Sequence, residues 1–235
     1  MKQPDNNKIP VPRREFVSRL LYLPRGITRL EKLGEKKQFP KNHILIQAGE
    51  KPRYCYIVKY GRVVAYEYTL NGEERIYNFN EQNSLLLEAN LLFDYASPIS
   101  FKTARPSELV CIDKETLLNT VNTDPEVSMD IMESLATKFF SSMDQIRHAN
   151  FHNAGWKICD LLLIFADRYG MPYDGKVLIR EKISQQLLSN LLGINRVTAV
   201  RAIKELKEMS LIEQINGFYC IRDIERLRRH QERLL

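Results

Sequence analysis

Residues Ile183 to Ile212, ISQQLLSNLLGINRVTAVRAIKELKEMSLI, leave a folding chain few options. Leu187, Leu188, Leu191 and Leu192 make one apolar face at helical spacing, and Val197, Val200, Ile203 and Leu206 begin a second. Gly193 stands between them, free to take the positive φ of a sharp helix exit, and Asn195 is a good N-cap for the second helix. Ser189, four residues before the glycine, is small where two helices would have to approach closely. The spacing predicts a helix-turn-helix.

The second helix of that motif carries Arg196, Thr198, Arg201, Lys204 and Lys207. Charges on a lone helix are often only a solvated face. Here Arg196, Thr198 and Arg201 fall in the first two turns, the part of such a motif that enters the major groove. An arginine there can be bidentate to guanine or can hold a phosphate, so DNA is the expected partner of this stretch.

Composition sets limits without deciding the matter. A chain of 235 residues suits two modest domains or one large one, and a formal net charge of +6 is compatible with a polyanionic partner. Cys55, Cys111, Cys159 and Cys220 are scattered, with no CxxC and no metal-ligand spacing, and are read as reduced, buried thiols of a cytoplasmic protein. The longest apolar stretch, Leu85 to Phe93, is interrupted by Glu88 and Asn90 and falls far short of the roughly 20 residues of a membrane helix. The first residues, MKQPDNNKIPVPRREF, offer no apolar core for a signal peptide. GxSxG, HExxH and Walker patterns are absent, which argues against an enzyme.

Taken in order, the chain opens on a loose, proline-containing arm, followed by a short helix expected from Arg14 to about Tyr22. From about Lys36 to Asp113 short alternating or β-branched runs recur: HILIQA, YCYIVKY, RVVAYEYT, RIYNF and LVCI. Gly61 and the Asn71-Gly72 pair punctuate them, the latter a strong hairpin signal. These runs predict a sheet-rich domain closed into a barrel, roll or sandwich. Beyond it, Lys114 to Val121 reads as a short helix, and Asp124-Pro125 starts a long one. Along the long helix Met132, Leu135, Phe139, Ser142, Ile146 and Ala149 recur in alternating steps of three and four, the spacing of a coiled-coil seam. Met129, Phe140 and Met143 add a second apolar face. One side is therefore expected against the sheet domain and the other against the same helix of a second copy.

Phe151-His152-Asn153 reads as a joint, with Asn153 capping a helix from Ala154 to about Tyr169 that Gly170 to Pro172 stops. Val177 to Ile179 is a short strand before the helix-turn-helix. After it, Leu211 to Ile215 and Phe218 to Ile221 flank Asn216-Gly217 as a β-hairpin wing, whose tip would approach the phosphate backbone. A last helix from Asp223 carries Arg226, Arg228, Arg229 and Arg233.

This order of parts resembles the Crp/Fnr superfamily of bacterial transcription regulators over nearly the whole chain. GEKPRYCYIVKYGRV resembles the family's effector-domain hairpin. The more specific signal is ISQQLLSNLLGINRVTAVRAIKEL, in which an Arg, a Thr and a second Arg recur at the family's spacing as Arg196, Thr198 and Arg201. The resemblance implies an α+β fold: an N-terminal cyclic-nucleotide-binding-like β-roll (jelly roll), a long dimerisation helix and a C-terminal winged helix-turn-helix. Its expected divisions are an arm and short helix (1–30), an effector domain (31–122), a dimerisation helix with hinge (123–152) and a DNA-binding domain (153–235). It further implies a homodimer on a near-palindromic duplex, half-sites roughly 34 Å apart, and RNA polymerase as a partner. The expected DNA-facing residues are Ser184, Asn195, Arg196, Val197, Thr198, Arg201, Lys204, Asn216 and Gly217, with Thr198 or Ser184 on phosphate.

Two departures from the family pattern carry expectations of their own. Val197 stands where the best-known members have Glu; it can offer thymine a methyl contact but cannot accept from cytosine, so an A·T-leaning half-site is expected. The effector positions correspond to Leu87, Glu88 and Ala89, then to Ile99 and Ser100, with Ser142 on the long helix. Ile99 replaces the arginine that pairs a cyclic phosphate and cannot neutralise one; Lys102, three residues on, would project from the opposite face of a strand. No cyclic nucleotide is expected to bind. The clustered N-terminal cysteines of the iron-sulfur branch are missing, and His43, His148 and His152 read as structural or surface histidines, so neither iron-sulfur cluster nor haem is expected. That leaves a different small-molecule effector, constitutive activity or thiol control. The rival reading is a ligand-sensing module that acts through protein contacts.

Overall fold

A computed structural model of the chain describes residues 21–22 and 28–234, with the side chains of Leu21, Tyr22, His148, Ala149 and Phe151 outside the description. The expected helix from Arg14 lies outside the described residues as far as position 20; at its end Leu21–Tyr22 is instead a strand, β1, paired in parallel with Phe79–Asn80. The elements then run α1 (Thr28–Glu31), β2 (Glu35–Phe39), β3 (Ile44–Ile46), β4 (Tyr54–Tyr60), β5 (Val63–Tyr68), β6 (Glu74–Asn80), β7 (Leu85–Leu86), α2 (Glu88–Phe93), β8 (Ser100–Thr103) and β9 (Ser107–Asp113). They continue as α3 (Lys114–Thr123), α4 (Pro125–Phe151), α5 (Ala154–Tyr169), β10 (Gly170–Tyr173), β11 (Lys176–Ile179), α6 (Gln185–Leu192), α7 (Arg196–Glu208), β12 (Ile212–Ile215), β13 (Phe218–Ile221) and α8 (Ile224–Glu232).

Two sheets make the N-terminal roll, one ordered β1-β6-β5-β8-β3 and the other β2-β9-β4-β7. Strand alternation sorts their side chains into separate cores. On β4, Tyr56 and Val58 point into the roll, where they meet Ile46, Val63 and Leu109; Cys55 and Ile57 point out towards Leu91, Leu117, Val127 and Ile131 of the covering helices. A strand buried on both faces reads as an unbroken apolar run, and YCYIVKY is such a run. β5 does the same with a different outer partner. Its Val63 faces the roll, while Val64 and Tyr66, with Ile76 and Phe79 of β6, join the core of the C-terminal domain beside Phe165, Leu188 and Ile203. Each large apolar side chain so buried contributes about 1.5–3 kcal/mol relative to exposure.

Asp124 caps the long helix α4 by accepting from Glu126 N and Val127 N, with Pro125 in the first turn. Its inner stripe is Val127, Ile131, Ser134, Lys138, Ser141 and Gln145, more polar than the expected faces. Met129, Phe140 and Met143, the expected second apolar face, are exposed and do not pack on the sheet. Of the seam positions, Leu135 is partly buried against the roll, whereas Met132, Phe139 and Ile146 are exposed; the side chain of Ala149 lies outside the described residues.

At the joint, His152 ends α4 and its ring stacks on Trp156 at 3.8 Å, while Asn153 caps α5 by accepting from Trp156 N. Gly170 to Pro172 does end α5, and the same residues form an edge strand, β10, in a second small sheet ordered β10-β11-β13-β12. All four cysteines are reduced and buried. Burial pushes the Cys159 thiol up to about 12 and raises Cys55, Cys111 and Cys220 as well.

Candidate nucleic-acid interface and effector region

The helix-turn-helix is built by caps and one glycine. Ser184 starts α6 by accepting from Leu187 N at 3.0 Å. The helix ends at Gly193, whose φ of 58° is left-handed and whose N–H bonds Ser189 O at 2.8 Å. Asn195 then caps α7, its Oδ1 accepting from Val197 N at 2.8 Å. The face of α7 that enters the core is Ala199, Ala202, Ile203 and Leu206. This corrects the apolar face read from the sequence: Val197 is 75% exposed and Val200 is exposed too, because small alanines, not valines, let α7 lie close to its neighbours.

The exposed face of α7 consequently holds Arg196, Val197, Thr198, Arg201 and Lys204 in one continuous surface. Arg201, its side chain 83% exposed, bonds Glu205 at 3.1 Å, and Lys204 lies 3.6 Å from Glu208. Such solvated pairs are worth under about 1 kcal/mol and yield readily to a phosphate or a base edge. Beyond α7, β12 and β13 form the wing, with Asn216 (φ 50°) and Gly217 (φ 84°) at a tip that matches the tight two-residue hairpin turn. Of the expected DNA-facing residues, Ser184 and Asn195 already use their side-chain oxygens as caps, of α6 and α7.

Two polar assemblies have no counterpart in the sequence reading. In the first, Arg62, 3% exposed, donates to Glu81 (2.7 Å), Glu181 (3.0 Å) and the Tyr169 hydroxyl (3.1 Å) and lies 4.3 Å over the Phe79 ring. Arg168 reaches Glu81 at 2.8 Å and Arg105 reaches Glu181 at 2.6 Å, so the network ties the roll to the C-terminal domain. Burial alone would raise the Glu81 carboxyl, but Arg62 and Arg168 hold it below the usual range. Burial likewise pushes the Tyr169 hydroxyl up to about 12.

The second assembly occupies the expected effector region. Leu87 is buried in a left-handed conformation, and Glu88, 1% exposed, opens α2 directly after it. The Glu88 carboxylate accepts from Ser134 Oγ at 3.0 Å and from Lys138 Nζ, both on α4. Ala89 is half-buried on α2, and Ile99 is half-buried just before β8. Ser100 Oγ accepts from Ala48 N, and Lys102 is drawn to Glu74 and over the Tyr66 ring, 4.3 Å away. Ser142 is exposed, its hydroxyl donating back to Lys138 O. A lysine and a serine in the inner stripe of an amphipathic helix were the signal for Glu88; for Arg62 and its partners, up to 119 residues apart, no local signal exists. Among the described residues no group of three or more His, Cys, Asp or Glu is placed to hold a metal ion, and no helix is long and apolar enough to cross a membrane.

A roll with a long flanking helix and a winged helix with an exposed basic recognition face define a class: two-domain transcription regulators with a DNA-binding helix-turn-helix. Comparison with known proteins agrees in both halves. Residues 36–124 match the cyclic nucleotide-binding domain family and residues 157–230 the Crp-like helix-turn-helix domain. The CRP-like cAMP-activated global transcriptional regulator of Mycobacterium tuberculosis is 22% identical over 206 residues, 88% of this chain and 92% of that protein. The global nitrogen regulator of a Nostoc species is 24% identical over 179 residues, 74% of this chain and 79% of its own. Among solved structures, the c-di-GMP responsive global regulator CLP of Xanthomonas campestris superposes with a TM-score of 0.74 at 18% identity, covering 84% of this chain and 98% of its own. A CooA mutant from Carboxydothermus hydrogenoformans does so with a TM-score of 0.73 at 17% identity, covering 86% and 90%. The chain belongs to the Crp/Fnr superfamily of transcription regulators.

Proposed function

We propose that this protein binds a palindromic DNA site as a homodimer and regulates transcription there, under an effector that is not a cyclic nucleotide. One observation carries the reading: α7 keeps its alanine face in the core and turns Arg196, Val197, Thr198, Arg201 and Lys204 to solvent together. In the bound state the first two turns of α7 enter the major groove, Arg196 and Arg201 on guanine or phosphate and Thr198 on phosphate. The wing tip at Asn216-Gly217 approaches the backbone. RNA polymerase is the partner through which such a regulator acts, in the cytoplasm. The test is selection of bound duplexes from random DNA by the purified protein, with and without cell metabolites. The expected result is a two-fold symmetric, A·T-leaning site lost at high salt. A site with an essential G·C pair opposite Val197 would overturn the A·T expectation, and capture of proteins but no DNA would favour the docking-module reading.

The homodimer rests on α4. Met132, Phe139, Phe140, Met143 and Ile146 are all exposed on one helix, more apolar surface than a monomer leaves open without use. Replacing Phe139, 60% exposed, by glutamate should leave the fold intact and shift the protein to monomer in sedimentation, with DNA affinity falling alongside. A dimer of unchanged strength would move the seam elsewhere.

The effector reading rests on Glu88. A carboxylate that is buried and held by Lys138 and Ser134 is not offered to a ligand hydroxyl, and Ile99 offers a phosphate nothing. Neither haem nor an iron-sulfur cluster is proposed.

A further inference from the structure

Where the roll meets the C-terminal domain the surface is hollowed out. A cavity of about 580 Å³ opens between the loop before β9, the end of α5 and the β11–β13 face, within the size range of small-molecule sites. Arg105, Arg168 and Arg180 line it, together with one carboxylate, Glu181, which Arg105 already pairs, and with Tyr169, Met171, Leu178 and Phe218. Guanidinium groups thus stand around an aromatic and aliphatic floor.

The charges at this junction do not balance. Arg62, Arg105 and Arg168 share the carboxylates of Glu81 and Glu181. Arg180 lines the same space, is exposed, and has no ion-pair partner among the described residues. Four guanidiniums against two carboxylates leave an excess of two positive charges beside an apolar floor. A guanidinium's planar fork matches the oxygens of a carboxylate or phosphate in pairs.

We infer that this junction is a binding site for a small organic anion, a carboxylate or phosphate ester with a flat apolar body, which bridges Arg105 of the roll to Arg180 of the DNA-binding domain. The charged end meets the guanidiniums and the body lies on Tyr169, Met171, Leu178 and Phe218. The site is separate from the Glu88 region, and its ligand would stabilise one arrangement of the two domains over others. Only that last consequence rests on the proposed regulatory function; binding itself does not need DNA.

The test uses the full-length protein and phenyl phosphate, benzoate, inorganic phosphate and benzyl alcohol as probes in titration calorimetry. Phenyl phosphate or benzoate should bind saturably with a Kd of about 1 mM or tighter, inorganic phosphate more weakly, and benzyl alcohol not measurably. R180A and R105A, each checked for native circular dichroism, should each weaken binding at least about tenfold. Titration of a random-sequence duplex with and without phenyl phosphate then reads the consequence: DNA affinity shifts severalfold in the parent and not in R180A. Absence of saturable binding by either aromatic anion, or binding that both variants leave unchanged, overturns the site. If R180A lowers DNA affinity and its salt dependence while no anion binds, Arg180 serves the DNA backbone and the site is likewise overturned. Anion binding without any DNA binding would leave the site standing and sink the regulatory reading instead.

Discussion

Replacing Arg201 with alanine is expected to lower affinity for the selected palindrome by roughly 30-fold to 10⁴-fold. A good bidentate contact to a base is worth about 1–3 kcal/mol, and the homodimer proposed above would read its site twice, so one substitution would remove about 2–6 kcal/mol. Folding should hardly change, because the side chain is solvated and the carboxylate it pairs with, Glu205, is exposed as well. Binding to the selected site and to a scrambled duplex, each over a range of salt, separates the two possible roles. A loss confined to the selected site assigns Arg201 to a base. An equal loss on both duplexes, with a salt slope lower by about one per subunit, assigns it to phosphate. Unchanged affinity would remove α7 from the interface.

Lys138→Met should have the largest effect on stability. It leaves the Glu88 carboxylate buried with only Ser134 among the described residues to answer it, and breaking a buried pair from one side costs about 3–5 kcal/mol. Lys138 keeps some solvent access, which places the expectation near the lower end, about 3 kcal/mol. For a chain of this size that is a fall in Tm of about 6–12 °C. The double variant with Glu88→Gln should recover most of it, since a neutral amide oxygen can still accept from Ser134 and no charge remains buried. Thermal unfolding of the three proteins decides: a single variant that melts within a degree of the parent would show that Lys138 does not balance Glu88.

How far the sequence was legible depended on where each residue's partners lie. β4 could be read because both its faces are buried, and the caps Asp124, Asn153 and Asn195 because a cap is a contact within three residues. β2, EKKQF, and β10, GMPY, escaped: both are edge strands with mostly exposed side chains, held by backbone pairing that leaves little mark on composition. The face of α7 was misread because valine outweighs alanine in any apolar pattern, although alanine is what close helix packing selects. The exposed row Arg196, Thr198 and Arg201 was nonetheless readable, since charges on a recognition helix need only local spacing. Arg62–Glu181 bridges 119 positions and nothing local announces it; for Lys138–Glu88, 50 positions apart, the local sign is confined to the polar inner stripe of α4 and does not name the partner.

The hairpin of β5 and β6 belongs to two cores at once, Val63 to one and Val64, Tyr66, Ile76 and Phe79 to the other. Its strands therefore cannot be divided between independently folding units. Cutting the chain at the joint would strip an apolar wall from the DNA-binding half, and loosening either half would weaken the other. A single melting event, with no stable intermediate in which one domain survives alone, is the behaviour that such shared ownership imposes.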